Sequence, residues 1–238
     1  MRSLVPILIP LVGAAIGCAA DNGDEGIFVI KNVAPSNGAC EFTGDENEPF
    51  VAHGALDIAT PAPYLFVAQM KSRVTAEEGQ EDARTIITSH ANVDITFPAN
   101  PELADLEGVD GLTHFKSLFT APLVPNGGVT DAGFTLIPAA VGQELAARGI
   151  TGPVEAVGTF TIIGDMSGAE QTSNQFSFGV TLGKNIVINV LGTCDTVPMS
   201  FTGRQGNACN FAQDGIVDCC TRTDGSLACP AVGTMPST

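Results

Sequence analysis

Residues 85–97 read TIITSHANVDITF. Thr85, Ile87, Ala91, Val93, Ile95 and Phe97 fall on one side of an extended chain, with Arg84, Thr88, His90, Asn92, Asp94 and Thr96 on the other. A period of two is that of a strand with one face in the core and one in water, because successive side chains of a pleated chain point to opposite faces. Residues 175–182, QFSFGVTL, repeat it with Phe176, Phe178, Val180 and Leu182 inward and Gln175, Ser177 and Thr181 outward. IFVIKNV (27–33), FVAHGALDIA (50–59), YLFVAQMKSRV (64–74), HFKSLFTAPL (114–123), GFTLI (133–137), EAVGTFTII (155–163) and NIVINVL (185–191) are further strand candidates. Many short strands separated by Gly, Pro, Asn and Asp predict an all-β chain, an antiparallel β-sandwich that is immunoglobulin-like in general architecture.

Two segments break the alternation. PAAVGQELAARG (138–149) places Pro138 at a helix start and Gly149 just past its end, with Val141 and Leu145 four apart on one face. NPELADLEG (100–108) predicts one or two helical turns capped by Asn100. Strands and helices do not alternate, so both read as short connections over an end of the sandwich.

The N-terminus, MRSLVPILIPLVGAAIGC, has a charged start, an apolar run from Leu4 to Ile16 and small residues leading to Cys18. That order predicts a signal peptide over 1–17, too short to span a bilayer, where about 20 apolar residues are needed. AIGC resembles a bacterial lipobox, with Ala15 where Leu is usual, and the resemblance implies lipidation of Cys18 after cleavage. The rival is cleavage after Ala20 and release of a soluble chain. Residues 18–26 then form an acidic tether, 27–201 the β-sandwich domain and 202–238 a cysteine-rich C-terminal cap. Ala19, rather than Asp, after the lipid cysteine resembles an outer-membrane sorting signal.

Beyond Cys18, six cysteines remain: Cys40, Cys194, Cys209, Cys219, Cys220 and Cys229. An even set in an exported chain predicts disulfides, and the 9- and 8-residue gaps in the tail lack both a zinc knuckle and a C-x-x-C redox pair. Neighbouring Cys219 and Cys220 are expected not to bond to each other. A bridge between Cys40 and Cys194, or from either into the tail, would fasten the cap to the body; spacing alone leaves the connectivity open.

With 26 acidic against 10 basic side chains the formal charge is −16, which repels phosphate backbones and disfavours nucleic-acid binding. A hydrophobic fraction of 44% argues for a sizeable core. The lipobox together with APSNGAC (34–40), GALDIATPAPYLFVAQMKSRV (54–74) and the tail GNACNFAQDGIVDCCTRTDGSLACP (206–230) resembles uncharacterised predicted lipoproteins of myxobacteria and their relatives. The resemblance spans nearly the whole mature chain. It implies an envelope location and a β-rich body and carries over no catalytic residue.

The sequence offers little chemistry. His53, His90 and His114 each fall on a mixed or polar strand face, with no spacing that preforms a metal site, and read as solvated. There is no G-x-S-x-G, H-E-x-x-H, Walker or dinucleotide motif. The acidic runs DNGDEG (21–26) and GDENE (44–48) do not follow the EF-hand pattern and read as a solvated tether and loop. No Trp and a single Tyr, Tyr64, weaken a sugar platform. We therefore expect no cofactor, no metal, and a lipid-anchored, non-catalytic envelope protein of the outer membrane with a structural, adhesion or binding role toward an envelope partner. The alternatives are a periplasmic or secreted hydrolase whose carboxylates converge only in the fold, and a calcium-dependent adhesion module.

Overall fold

A computed structural model describes residues 25–35, 39–150, 152–197 and 202–229. Cys18 and the predicted signal peptide lie outside the described residues. The strands are β1 (Ile27–Asn32), β2 (Gly54–Asp57), β3 (Tyr64–Ser72), β4 (Ile86–Thr96), β5 (His114–Leu118), β6 (Pro122–Leu123), β7 (Val129–Ile137), β8 (Val154–Met166), β9 (Ala169–Thr172), β10 (Phe176–Gly183), β11 (Ile188–Thr193), β12 (Val217–Thr221) and β13 (Leu227–Ala228). They form an all-β sandwich. A three-stranded sheet, β1-β3-β7, packs on a larger one in which β2-β10-β8-β4-β5 are neighbours, β6 extends along β4 and β9 along β8. A small third sheet, β11-β12-β13, carries the cap.

Period-two side chains from both sheets fill one core. Phe66 of β3 is fully buried, its ring 4.9 Å from Phe160, 5.2 Å from Phe178, 5.5 Å from Phe134 and 5.7 Å from Phe176. Burial of each such ring stabilises by about 1.5–3 kcal/mol, and edge-to-face contacts add to it. At the β1 edge, Asn174 accepts from the Val29 amide at 2.8 Å and so ties the β9–β10 connection to the smaller sheet.

The alternation of residues 85–97 holds over only part of its length. Thr88 pairs with Gly164 and His90 with Ile163, so Ser89 is an extra residue on β4, a β-bulge. The bulge shifts the period by one. Ala91, Val93 and Ile95 point inward as expected, but before it Ile86 and Thr88 face the core, while Ile87 is 46% exposed. Thr88 is accommodated because its hydroxyl donates to the Ala121 carbonyl and accepts from the Ala121 amide. Gly164 leaves the room required: a Cβ there would sit 2.7 Å from Ile86 Cγ2.

The smaller sheet is wholly antiparallel, and the other two each contain one parallel pair, since β2 runs parallel to β10 and β11 parallel to β12; strands joined by long connections, not hairpins, are free to take either direction. One further expectation is corrected. Asn100 does not cap the 3-10 turn Pro101–Leu106 through its side chain, whose Nδ2 donates to Glu102 instead. The helix α1 (Ala139–Ala147) starts after Pro138, buries Val141 and Leu145, and ends before Gly149 at φ 75°. Arg148 joins both helical connections, bonding Asp105 through two nitrogens at 2.8 Å and Glu144 at 3.0 Å.

Three disulfides hold the cap: Cys40–Cys209, Cys194–Cys220 and Cys219–Cys229. Cys219 and Cys220 bond to different partners because they are adjacent on β12, where successive side chains leave opposite faces. The cap's first strand, β11, precedes Thr202 in the chain. Between Cys209 and β12, residues 210–214 seat on the sandwich through hydrogen bonds. Asn210 Nδ2 donates to the Pro63 carbonyl at 2.6 Å, and the Gln213 amide exchanges two bonds with the Leu65 backbone. The Tyr64 hydroxyl and the Ala55 amide both donate to Asp214, each at 2.9 Å. Burial pushes the Asp214 carboxyl above its ordinary range, and burial beside Asp214 pushes the Tyr64 phenol up as well. Fully buried Asp57 accepts from the amides of Ala59, Val187 and Ile188 and pins the start of β11.

Within the cap, Arg204 grips the buried Asp218 through two side-chain nitrogens at 2.6 and 3.0 Å and its own amide at 2.8 Å. These bonds hold the Asp218 carboxyl well below the usual 3.8. A depressed folded value contributes stability that is fully present above the unfolded value and lost as pH falls below it. On acidification below about pH 4, protection of the β12 amides against hydrogen exchange, corrected for the pH dependence of intrinsic exchange, should therefore fall before that of the sandwich core. Arg204→Ala should erase the difference. An equal loss of protection in cap and core of the wild-type chain would contradict this assignment.

Candidate interaction face

The three histidines, scattered in sequence, lie on one surface: the outer face of the larger sheet, opposite the core. Strand register lays out polar rows across it. Ser177, Thr159, Asp94 and His114 align across β10, β8, β4 and β5, and Thr161, Asn92 and Lys116 form the next row. The Thr159 and Ser177 hydroxyls meet at 3.0 Å, and His114 Nδ1 lies 2.6 Å from Asp94 Oδ1. That bond, with the Asp94 charge, raises the His114 imidazole above its usual 6.5. At one end the face turns apolar, where Leu118, 80% exposed, stands opposite His90.

At the other end, His53 Nε2 reaches Thr181 Oγ1 at 2.9 Å and Glu155 Oε1 at 3.1 Å, while the Thr181 hydroxyl donates to Glu155 Oε2 at 3.0 Å. The ring rests over Gly179, where a Cβ would lie 2.9 Å from His53 Nδ1. Hydroxyl, imidazole and carboxylate meet here, yet not as a nucleophilic triad. A triad uses one ring nitrogen for the hydroxyl and the other for the carboxylate. Here Nε2 serves both, and the hydroxyl proton is committed to the carboxylate. The arrangement suits recognition by hydrogen bonding.

His53, just before β2, and His114 are exposed, and His90 is partly so. Among the described residues no group of three or more His, Cys, Asp or Glu is placed to hold a metal, and no helix is long and apolar enough to cross a membrane. In the run GDENE, Asp45, Glu46 and Asn47 are exposed as its composition suggests, while Glu48 is buried against the smaller sheet. Comparison with protein-family models, curated proteins and solved structures finds no match to this chain. Sequence reasoning assigned His53, His90 and His114 to polar faces but missed that these faces are one, because strand order does not follow from strand pattern.

Proposed function

We propose that this chain is a lipid-anchored, non-catalytic protein of the bacterial cell envelope, attached to the outer membrane through Cys18, which binds another envelope protein through the outer face of its larger sheet. The observation that carries the reading is that Gly26 and the cap meet opposite ends of β3. Arg73, just after β3, donates its amide to Gly26, where the tether enters; Tyr64, at the start of the same strand, bonds the cap. At about 3.3 Å per residue, β3 separates the two by roughly 30 Å. A lipid on Cys18 thus leaves the cap at the far end of the sandwich and the sheet face along its flank. Three disulfides are in keeping with an oxidising compartment outside the cytosol. The paired hydroxyls, imidazoles and carboxylates of the face offer directional hydrogen bonds to a protein partner.

Cys18→Ala should release the protein from the membrane fraction. A photo-crosslinking residue at Ser177, on the face, should give a discrete adduct in intact cells, while one at Asp224, exposed in the cap, should give none. Retention of the Cys18→Ala chain in the membrane would overturn the anchor, and an adduct from Asp224 alone would move the binding surface to the cap.

A further inference from the structure

The outer face of the smaller sheet carries a polar row of its own, with Lys31, Gln69 and Asp131 in register across β1, β3 and β7. Residues 43–48, TGDENE, lie across it. Lys31 Nζ donates to the carbonyls of Glu46 and Glu48, each at 2.7 Å, and Lys71 pairs with Glu46 at 2.7 Å. The Gly44 amide donates to Asp131 Oδ2 at 2.7 Å. Gln69 Nε2 donates to the Asp45 carbonyl at 2.9 Å and to Asp131 Oδ1 at 3.1 Å. Glu48 Oε1 takes both the amide and the hydroxyl of Thr43, at 2.8 and 2.7 Å.

Two acceptors are left over. Glu48 Oε2 and Gln69 Oε1 are buried with no hydrogen-bond donor, on residues 9% and 0% exposed. Gln69 Oε1 belongs to the planar amide whose nitrogen bonds Asp131, and the Glu48 and Asp131 carboxyls interact directly. Two carboxyls in contact, with an unbonded carboxylate oxygen and an unbonded amide oxygen beside them, call for a cation, since buried oxygen acceptors without a donor are costly.

We propose that residues 43–48, with Gln69 and Asp131, form a calcium site whose ligands are Glu48 Oε2, the Asp131 carboxylate and Gln69 Oε1. An all-oxygen set mixing carboxylates with an amide carbonyl suits calcium, which tolerates irregular geometry, better than magnesium, which demands an octahedron, or zinc, which favours nitrogen and sulfur. Asp131 is only half-buried, so water can complete the shell from that side. The ion would cinch the loop against the sheet a few residues after Cys40, where the disulfide to Cys209 begins.

The test is calorimetric melting of the disulfide-intact mature chain near neutral pH, in calcium chloride against a chelator. Saturating calcium should raise the melting temperature by about 5 to 10 °C, with half the effect at or below about 1 mM, as in extracellular calcium modules. Glu48→Gln and Asp131→Asn, each supplying an amide donor to the pair, should melt at the same temperature with and without calcium. Should either variant fail to fold, isothermal titration of calcium into the wild-type chain decides, with one saturable site expected. No calcium dependence up to about 10 mM, an undiminished shift in both variants, or an equal shift with magnesium would overturn the proposal.

Discussion

Replacing Cys40 and Cys209 together by serine should lower the free energy of unfolding by about 3 to 5 kcal/mol and the melting temperature by about 10 °C. This bridge spans 169 residues, against 26 for Cys194–Cys220 and 10 for Cys219–Cys229. In the chain-entropy account the constraint a disulfide places on the unfolded chain grows with the logarithm of the loop, to about 5 kcal/mol at this length but about 3 for the shortest. The native contacts at residues 210–214 survive the double substitution, because Asn210, Gln213 and Asp214 still bond β2 and β3. The loss should therefore appear as a destabilised but cooperative transition, not as separate melting of the cap. Urea unfolding by fluorescence and by far-ultraviolet circular dichroism checks this: coincident curves at a lower midpoint are expected. Separate transitions would mean that the disulfide, rather than the polar contacts of residues 210–214, holds the cap on the body.

The strands were legible because half-buried sheets print their burial on the sequence. Val93, Ile95, Phe178 and Val180 alternate with polar neighbours and are inward where the alternation puts them. The bulge at Ser89 was not legible: Ile87 looks like a core residue in any local window, and only the register against β8 reveals the inserted residue. β12 was missed for the opposite reason. Val217, Asp218, Cys219 and Cys220 are all buried, so a strand covered on both faces shows no period of two. The cysteines announced disulfides through their even number beyond an expected signal peptide, while their pairing depended on where Cys40 and Cys194 come to lie. The polar face was half legible. Each outward Thr, Ser and His was visible one strand at a time, but the rows that join Ser177 to His114 are made by non-sequential neighbours. The burial of Glu48 in an otherwise exposed acidic loop was not legible, because Lys31, Gln69 and Asp131 supply a polar bed that three separate strands must assemble.

Phe66→Ala should cost about 3 to 5 kcal/mol, a loss of the same order as that of the longest disulfide but of different origin. The ring is fully buried, and rings from both sheets surround it: Phe134 on β7, Phe160 on β8, Phe176 and Phe178 on β10. Truncation removes the transfer free energy of the ring and leaves a cavity that strands held by ladder hydrogen bonds cannot close. It also removes four aromatic contacts, each worth about 0.5 to 1.5 kcal/mol beyond area burial. Because the native state loses packing while the unfolded chain is nearly unchanged, the urea midpoint should fall with the slope of the transition preserved. Phe66→Leu should recover more than half of the loss by refilling most of the volume. Phe50→Ala serves as the control, since Phe50 is 62% exposed and its truncation should stay within about 0.5 kcal/mol. If Phe66→Ala cost no more than Phe50→Ala, the two sheets could not be packed face to face around this ring.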